Sequence, residues 1–375
     1  MHTHYTSHMD INVTKPFLPP FEEYIDLVHR IWDSKQLTNN GYFSQKLEKD
    51  LSDYLDVQNV TLFSNGTAAL IASIKCLELK GEVITTPFSY VATVSSLLWN
   101  NLKPVFVDIE DQSMNLDPTK VVGSINANTS GILPVHCYGN PAKVEDFVTI
   151  QEKFGLKIVY DGAHAFGSKC HCGSLLSHGD LTAVSFHATK VYNTFEGGAV
   201  ISHTCEHKTK LEQLRNFGYS STQDSMVVTQ GFNGKMTEMQ AALGLLQLKY
   251  IDEVLNKRKS IAELYIGELA CIPGIKAMVN IGLHESNYAY FPILITDNYP
   301  VNRDQLMLKF KAHGINVRKY FHPLIPSMNI IGWSEAKVKE LLPVAYDMSS
   351  RILCLPIYPD IEHETLMKIV DILHY

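Results

Sequence analysis

From residue 60 to residue 185 the sequence alternates short apolar runs with helix-length segments, and this alternation constrains the fold more than any other feature. Residues 60–63, 82–86, 103–108, 131–134, 157–160 and 181–185 have the length and apolar content of buried strands. Residues 68–79, 90–100 and 143–154 between them predict helices. Strands alternating with helices imply an α/β fold whose sheet is mostly parallel and covered on both faces. Such sheets bind ligands beyond the carboxyl ends of their strands. Ser64-Asn65-Gly66-Thr67, Pro87 to Tyr90, Asp161 and Ser185 to Lys190 all fall at such ends.

Upstream, Pro16, Pro19 and Pro20 mark an extended lead-in. Apolar residues at Tyr24, Ile25, Leu27, Val28, Ile31 and Trp32 then predict a helix over 21–34, and 43–55 predicts another. Downstream, 237–259 predicts a long helix, 290–295 and 315–317 strands, and 303–313, 335–342 and 363–373 helices. The 375 residues suffice for two domains. We expect a large one over 35–250 and a smaller α+β one over 251–375, the latter joined by the segment 10–34.

A net charge of −7 gives no electrostatic reason to expect nucleic acid or an anionic membrane as partner. A phosphate-bearing ligand must therefore be held locally. No apolar run approaches the roughly 20 residues of a membrane helix. There is no cleavable signal pattern, and residues 1–9, rich in histidine, have the character of an expression remnant. The seven cysteines are odd in number and mostly lie singly in apolar stretches, which favours free buried thiols in a reducing cytoplasm. Cys170-His171-Cys172 matches no usual zinc spacing, even with His136, Cys137 and His164 nearby in sequence, so we expect no metal.

Lys190 lies in a polar loop between two apolar strands, where desolvation would lower its pKa and free the amine as a nucleophile towards a carbonyl. Ser64 to Thr67 supports two readings: an anion cradle at a helix N-terminus, or a plain cap made by Ser64 or Thr67. Asp161 ends a buried strand and needs either a cationic partner, such as a protonated pyridine nitrogen, or nearby amides or an arginine. Tyr90 offers a face for a flat ring, or ordinary packing. A phosphate cradle, an aromatic plate, a carboxylate for a ring nitrogen and a lysine for an aldehyde are together what pyridoxal 5′-phosphate requires. The Gly-x-Gly-x-x-Gly that a nicotinamide dehydrogenase needs after its first strand is missing here, where only Ser64-Asn-Gly-Thr67 stands.

With these residues in view, the chain resembles the sugar aminotransferases of the DegT/DnrJ/EryC1/StrS group, which are fold-type I pyridoxal phosphate enzymes. Leu37-Thr-Asn-Asn-Gly41, Ser64 to Ala69, Asp161-Gly-Ala-His-Ala165, Ser185 to Lys190 with Glu196-Gly-Gly198, and Gly231 to Glu238 carry the likeness, which extends to Leu355-Pro-Ile-Tyr358. The resemblance implies a large domain with a seven-stranded-type sheet. It makes Lys190 the lysine joined to the cofactor and Asp161 the partner of its ring nitrogen. By the same resemblance His164 meets the phenolic oxygen, Gly66, Thr67 and Ser185 hold the phosphate, and Tyr90 stacks on the ring. Asn233 would reach the phosphate of a neighbouring subunit in a homodimer with shared sites. Lys235 stands where many members carry arginine, which keeps the charge and loses a bidentate contact. Related sugar 3-dehydratases carry histidine in place of the lysine, so Lys190 favours transamination.

The implied reaction moves an amino group from L-glutamate, by way of pyridoxamine phosphate, to C4 of dTDP-4-keto-6-deoxyglucose. Its product, dTDP-4-amino-4,6-dideoxyglucose, would serve a surface polysaccharide such as O-antigen. Amination at C3 of a related dTDP sugar, and a non-catalytic binding protein, are the alternatives. His187, Tyr192, Asn193, Arg215, Arg318, Tyr320 and His322 are the candidate sugar or nucleotide contacts. The Arg318 to Pro323 run also has the makings of a surface turn.

Overall fold

The computed structural model describes residues 10–220, 226–279 and 285–374, so the histidine-rich residues 1–9 lie outside it. Helices α1 (Phe21–Ser34) and α2 (Tyr42–Leu55) lead into the alternating region. There β1 (Asn59–Phe63), α3 (Gly66–Cys76), β2 (Glu82–Thr85), α4 (Ala92–Trp99), β3 (Lys103–Phe106), α5 (Pro118–Val122), β4 (Thr129–Leu133), α6 (Val144–Phe154) and β5 (Lys157–Asp161) follow one another. A two-residue hairpin, β6 (Lys169–Cys170) and β7 (Gly173–Ser174), precedes β8 (Leu181–Ser185), β9 (Gly198–Ser202) and α7 (Cys205–Arg215).

The main sheet has seven strands in the order β1-β9-β8-β5-β4-β2-β3. Strand β9 runs antiparallel to both of its neighbours, and the remaining pairs are parallel. Because β1 and β8 both oppose β9, the carboxyl ends of β1, β2, β4, β5 and β8 share one edge. The order reverses between β2 and β4, which opens the crevice where such sheets take ligands. The strands are buried nearly throughout, as expected for a sheet covered on both faces.

Helix α8 (Glu238–Leu269) runs 32 residues, ten beyond the segment 237–259 that periodicity predicts, and crosses position 250 unbroken. Its later residues Ile261, Ala262, Tyr265 and Leu269 enter a second core. That core lies over the antiparallel sheet β10 (Ile275–Ala277), β11 (Phe291–Ile295), β12 (Ile352–Leu355), with helices α9 (Arg303–Ala312), α10 (Glu335–Leu341), α11 (Pro343–Arg351) and α12 (His363–Leu373) around it. Of residues 315–317, expected as a strand, only Ile315 makes a bridge, to Ile11, and the following residue, Arg318, bridges Cys354. The strand beside β11 is instead β12, a four-residue apolar run too short to declare its period.

The N-terminal segment divides its contacts. Ile11 and Val13 bind the smaller domain through Gly314, Asn316 and Ile357. Helix α1 packs on the first half of α8, with the Tyr24 hydroxyl donating to the Met239 carbonyl at 3.1 Å and Lys249 pairing with Glu23 at 2.7 Å. All seven cysteines are free. Cys76, Cys137, Cys170 and Cys354 are buried, whereas Cys172, Cys205 and Cys271 are exposed, contrary to a uniformly buried set.

Candidate active site

Asp161 is the last residue of β5, flanked by β4 and β8. Its carboxylate is buried and accepts two neutral hydrogen bonds, from the Thr93 hydroxyl at 2.7 Å and the Ala163 amide at 3.1 Å. Thr93 stands in the first turn of α4, with its oxygen 2.7 Å from the Ser89 hydroxyl. No ion pair reaches Asp161 among the described residues. Burial therefore raises its pKa above the usual carboxylate value, against the opposing pull of Thr93, Ala163 and Lys190.

Lys190 lies in the loop between β8 and β9. The loop is pinned at its base by the Phe186 amide on the Gly197 carbonyl at 2.8 Å and by the Thr194 amide on the Phe186 carbonyl at 2.9 Å. Burial lowers the Lys190 pKa to about 8, and the charge of Asp161 and the nearby Tyr90 only partly restore it. Its amine lies 5.7 Å from the centroid of the Tyr290 ring. His164 is buried too, and desolvation followed by the Lys190 charge holds its pKa well below the ordinary value. Its Nδ1 accepts the Tyr138 amide at 3.2 Å, which leaves the ring proton on Nε2.

Four contributors to this site carried no signal that the sequence reading used. Thr93, Tyr138 and Tyr290 are joined by Phe321 from the smaller domain. The Phe321 ring lies parallel to His164 at 6.0 Å and to Tyr138 at 6.0 Å, while Tyr290 meets His164 edge-on at 4.9 Å. For Thr93 the usable signal was the Ser89-x-x-x-Thr93 spacing, which stacks two hydroxyls one turn apart at a helix start.

Around the start of α3 the packing is tight enough to require glycine. A Cβ on Gly66 would fall 2.7 Å from Ser185 Cβ, and one on Gly198 would fall 2.6 Å from the Asn65 carbonyl carbon. The ends of β1 and β8, the start of β9 and the first turn of α3 thus meet. The helix cap is neither Ser64 nor Thr67, as the sequence suggested, but Asn65, whose Oδ1 accepts the Ala68 amide at 2.8 Å. Asparagine is as good a cap as serine, and its side chain here leaves the two hydroxyls to other work. The first-turn amides, Gly66 and Thr67 among them, have no acceptor within the helix and face the same edge as Ser185.

The chain matches the DegT/DnrJ/EryC1/StrS aminotransferase family over residues 21–374. It belongs to that family. It is 45% identical over 363 residues to a dTDP-4-amino-4,6-dideoxy-D-glucose transaminase of Shigella dysenteriae, covering 96% of this chain and 97% of that one. An Escherichia coli protein of the same name is 44% identical over 369 residues, covering 97% and 98%. The crystal structure of DesI in the presence of its TDP-sugar product superposes with a TM-score of 0.91 at 30% identity, over 98% of this chain and 93% of that one.

In this aminotransferase Tyr90 is 61% exposed, on the loop between β2 and α4 at the mouth of the crevice. Asn233 is exposed as well, bridged to Asn216. The next residue, Gly234, accepts the Ser64 amide at 2.7 Å, so this motif braces the loop before α3 from behind. A cleft of about 690 Å³ opens on the same surface, lined by Asn40, Arg215, Asn216, Phe217, Tyr219 and Lys235, and Lys190 is not among its residues.

Three of the expected substrate contacts are held by partners inside the fold, although Arg215 also borders the cleft just described. Tyr192 is fully buried, stacked on Phe166 at 4.3 Å, with its hydroxyl donating to the Gly244 carbonyl at 2.9 Å. Asn193 is also fully buried and donates to the Phe17 carbonyl at 3.4 Å. Arg215 is committed to Glu48 at 2.6 Å and to the Leu62 carbonyl at 2.9 Å, an anchor for β1. Their polar groups suggested a ligand, but each finds its partner inside the fold. His187 remains half-buried, with Nδ1 2.9 Å from the Thr189 hydroxyl and Nε2 3.6 Å from Glu196.

The Arg318 to Pro323 run is split. Tyr320 meets Tyr290 edge-on at 5.3 Å, and its carbonyl accepts the Tyr138 hydroxyl. Arg318 is exposed. His322 turns away to the Ser349 hydroxyl of α11 at 3.1 Å.

Proposed function

We propose that this aminotransferase moves the amino group of L-glutamate to C4 of dTDP-4-keto-6-deoxy-D-glucose, giving dTDP-4-amino-4,6-dideoxy-D-glucose for a surface polysaccharide such as O-antigen. The reading of substrate is carried by the two relatives of that activity at 45% and 44% identity over nearly the whole chain. The reading of cofactor rests on the site itself. A buried carboxylate with neutral partners only, an amine with a pKa lowered to about 8 and a glycine-lined helix start fit pyridoxal 5′-phosphate.

When bound, pyridoxal 5′-phosphate supplies an aldehyde and an electron-withdrawing ring that makes the carbon beside a bound amine acidic. Asp161 would hold the proton of the ring nitrogen, where a cation satisfies the buried carboxylate. His164 Nε2–H would donate towards the phenolic oxygen. The amides of Gly66 and Thr67 and the hydroxyls of Thr67 and Ser185 would hold the phosphate, and Tyr90 would cover the ring. Lys190 Nζ would carry a proton from the α carbon of glutamate to the cofactor carbon that keeps the nitrogen, and in the second half-reaction from that carbon to C4 of the sugar. An amine with a pKa near 8 serves in both directions close to neutral pH. His187, Tyr320 and Arg318 are the residues we assign as contacts to sugar or nucleotide.

We further read the chain as a cytoplasmic homodimer, with Asn233 reaching the phosphate of the second copy. We take residues 35–250 as the cofactor domain and 251–375 as the domain that closes on it.

Incubation with glutamate and dTDP-4-keto-6-deoxyglucose, with the amino carbon assigned by NMR, tests the substrate. Nitrogen on C4 is the expected result. Transfer only to a 3-keto isomer would replace this reading with the C3 alternative, and no transfer to either would remove it. For the cofactor, the protein mixed with pyridoxal 5′-phosphate should show a visible absorption band that Lys190→Ala lacks.

A further inference from the structure

The hairpin β6–β7 carries a side-chain cluster that plays no part in amino transfer. Cys170 Sγ lies 2.7 Å from Cys172 Sγ and 3.3 Å from His178 Nε2, and Cys172 Sγ lies 3.5 Å from the same nitrogen. A second triad shares Cys172 and adds His171 and Glu145, whose Nε2 and Oε1 are 3.3 Å apart. In each triad the potential ligand atoms all fall within 4.8 Å of one another. Sequence spacing concealed the cluster. His178 arrives by way of the 3₁₀ turn Leu175–Ser177, and Glu145 comes from α6, while His136 and His164, the neighbours in sequence, belong elsewhere.

We propose that this hairpin is a zinc site, in which Cys170 Sγ, Cys172 Sγ and His178 Nε2 bind one Zn²⁺ and the fourth tetrahedral position faces the Glu145–His171 pair. Two thiolates and an imidazole select zinc over magnesium or calcium, which take oxygen ligands. With Zn–S near 2.3 Å, a tetrahedral site separates its sulfurs by roughly 3.8 Å, so the thiols must part by about 1 Å. Cys172 is exposed and can swing outward, while the buried Cys170 stays in place. A cleft of about 460 Å³ bordered by Glu110, Glu145, Cys170 and His171 gives an ion access from solvent. Binding displaces the two thiol protons to water, so affinity falls as pH is lowered.

The hairpin has a use for such a fastening. Its strands are two residues each, and an isolated two-stranded hairpin is marginal even at greater length. It is held from outside by Lys169, whose amide donates to the Glu285 carbonyl at 2.9 Å and whose carbonyl accepts the Glu285 amide at 3.1 Å. Two residues on, the Asn287 side-chain Nδ2 donates to the carbonyls of His164 at 2.7 Å and Phe166 at 2.8 Å. An ion joining the hairpin to α6 and the 3₁₀ turn would pin this support from behind.

The full chain, reduced, purified and dialysed against metal-free buffer containing one equivalent of zinc, should retain one zinc per chain by elemental analysis. Cobalt titration of the metal-free chain should give a thiolate-to-cobalt charge-transfer band saturating at one equivalent. The histidines His2, His4 and His8 offer no thiolate, so metal held there gives no such band. Cys172→Ser and His178→Ala should each weaken zinc binding by more than about 100-fold, beyond the roughly 10–100-fold that loss of an outer hydrogen-bond partner produces. Both variants should keep the absorption of bound pyridoxal phosphate. A wild-type chain that retains no zinc, a cobalt spectrum without a thiolate band, or unchanged zinc affinity in Cys172→Ser would each overturn the proposal.

Discussion

Two of the buried carboxylates, Glu238 and Asp161, are treated in opposite ways. Glu238 opens α8 and is 1% exposed. It accepts the amides of Gly41 at 3.1 Å, Phe43 at 2.7 Å and Ser44 at 3.2 Å, together with the Ser44 hydroxyl. It thereby joins the N-termini of α2 and α8, whose partial positive charges it also meets. A Cβ on Gly41 would fall 2.7 Å from Glu238 Cδ, so a side chain there would push the carboxylate out of its place. Asp161 has only Thr93 and Ala163, and the nearest cation, Lys190, is itself desolvated. Saturation with neutral donors marks the structural carboxylate. Leaving one under-served in a crevice prepares it for a cation brought by a ligand.

The sharpest way to break this contrast is Glu238→Ala, which strands several buried amides at once. We expect a loss of about 3–5 kcal/mol in urea unfolding, the range for breaking a buried charged network, with turnover per folded molecule kept. Asp161→Asn should do the reverse. Its turnover should fall on the order of 10²–10³-fold, the scale of losing one oriented electrostatic partner, with little change in unfolding. Since the Asp161 charge raises the Lys190 pKa, the pH profile of cofactor capture should also move below about 8. Equal effects of the two substitutions on stability and turnover would erase the distinction.

Lys190 tests the desolvation behind the second half of the comparison. Its folded pKa, about 8, lies below its unfolded value of 10.5, so the unfolded chain binds more protons between those pH values. Stability from this group therefore rises with pH from about 8 to 10.5 and is lowest below 8. Lys190→Met should stabilise the cofactor-free protein at pH 7 by on the order of 2–3 kcal/mol, with the gain vanishing above about pH 10.5. A pH-independent difference in thermal unfolding would contradict it. The smallest effect is expected of Thr93→Val, which takes one of two donors from Asp161. Turnover should drop roughly 10-fold, near the lower end for a hydrogen bond to a charged group, and Thr93→Ser should restore most of it.

Much of the large domain was legible because period and length agree over many residues. Each expected strand from 60 to 185 is present, and the motif residues Ser64 to Thr67, Asp161, Ser185 and Lys190 do gather at one sheet edge. What escaped was local competition and distant partnership. Three polar residues compete at the start of α3, and Asn65 rather than Ser64 or Thr67 makes the cap. Tyr192, Asn193 and Arg215 look like ligand contacts until Gly244, Phe17 and Glu48 supply their partners. In the Arg318 to Pro323 run Arg318, Tyr320 and His322 drew the reading, yet the apolar Phe321 is the one that packs on His164.

By itself, then, the sequence determined the alternation, the sheet-end motifs and the lysine between two strands, because these rest on periodicity and on neighbours a few residues apart. Only the tertiary structure decided which polar groups are spent inside the fold and which remain for a ligand. It set Thr93 against Asp161 across 68 positions and Asn287 against His164 across 123. It also brought His178 and Glu145 to the two thiols of a hairpin whose spacing had spoken against a metal. Burial and hydrogen-bond satisfaction depend on what the folded chain carries to a point in space, and no local spacing encodes that.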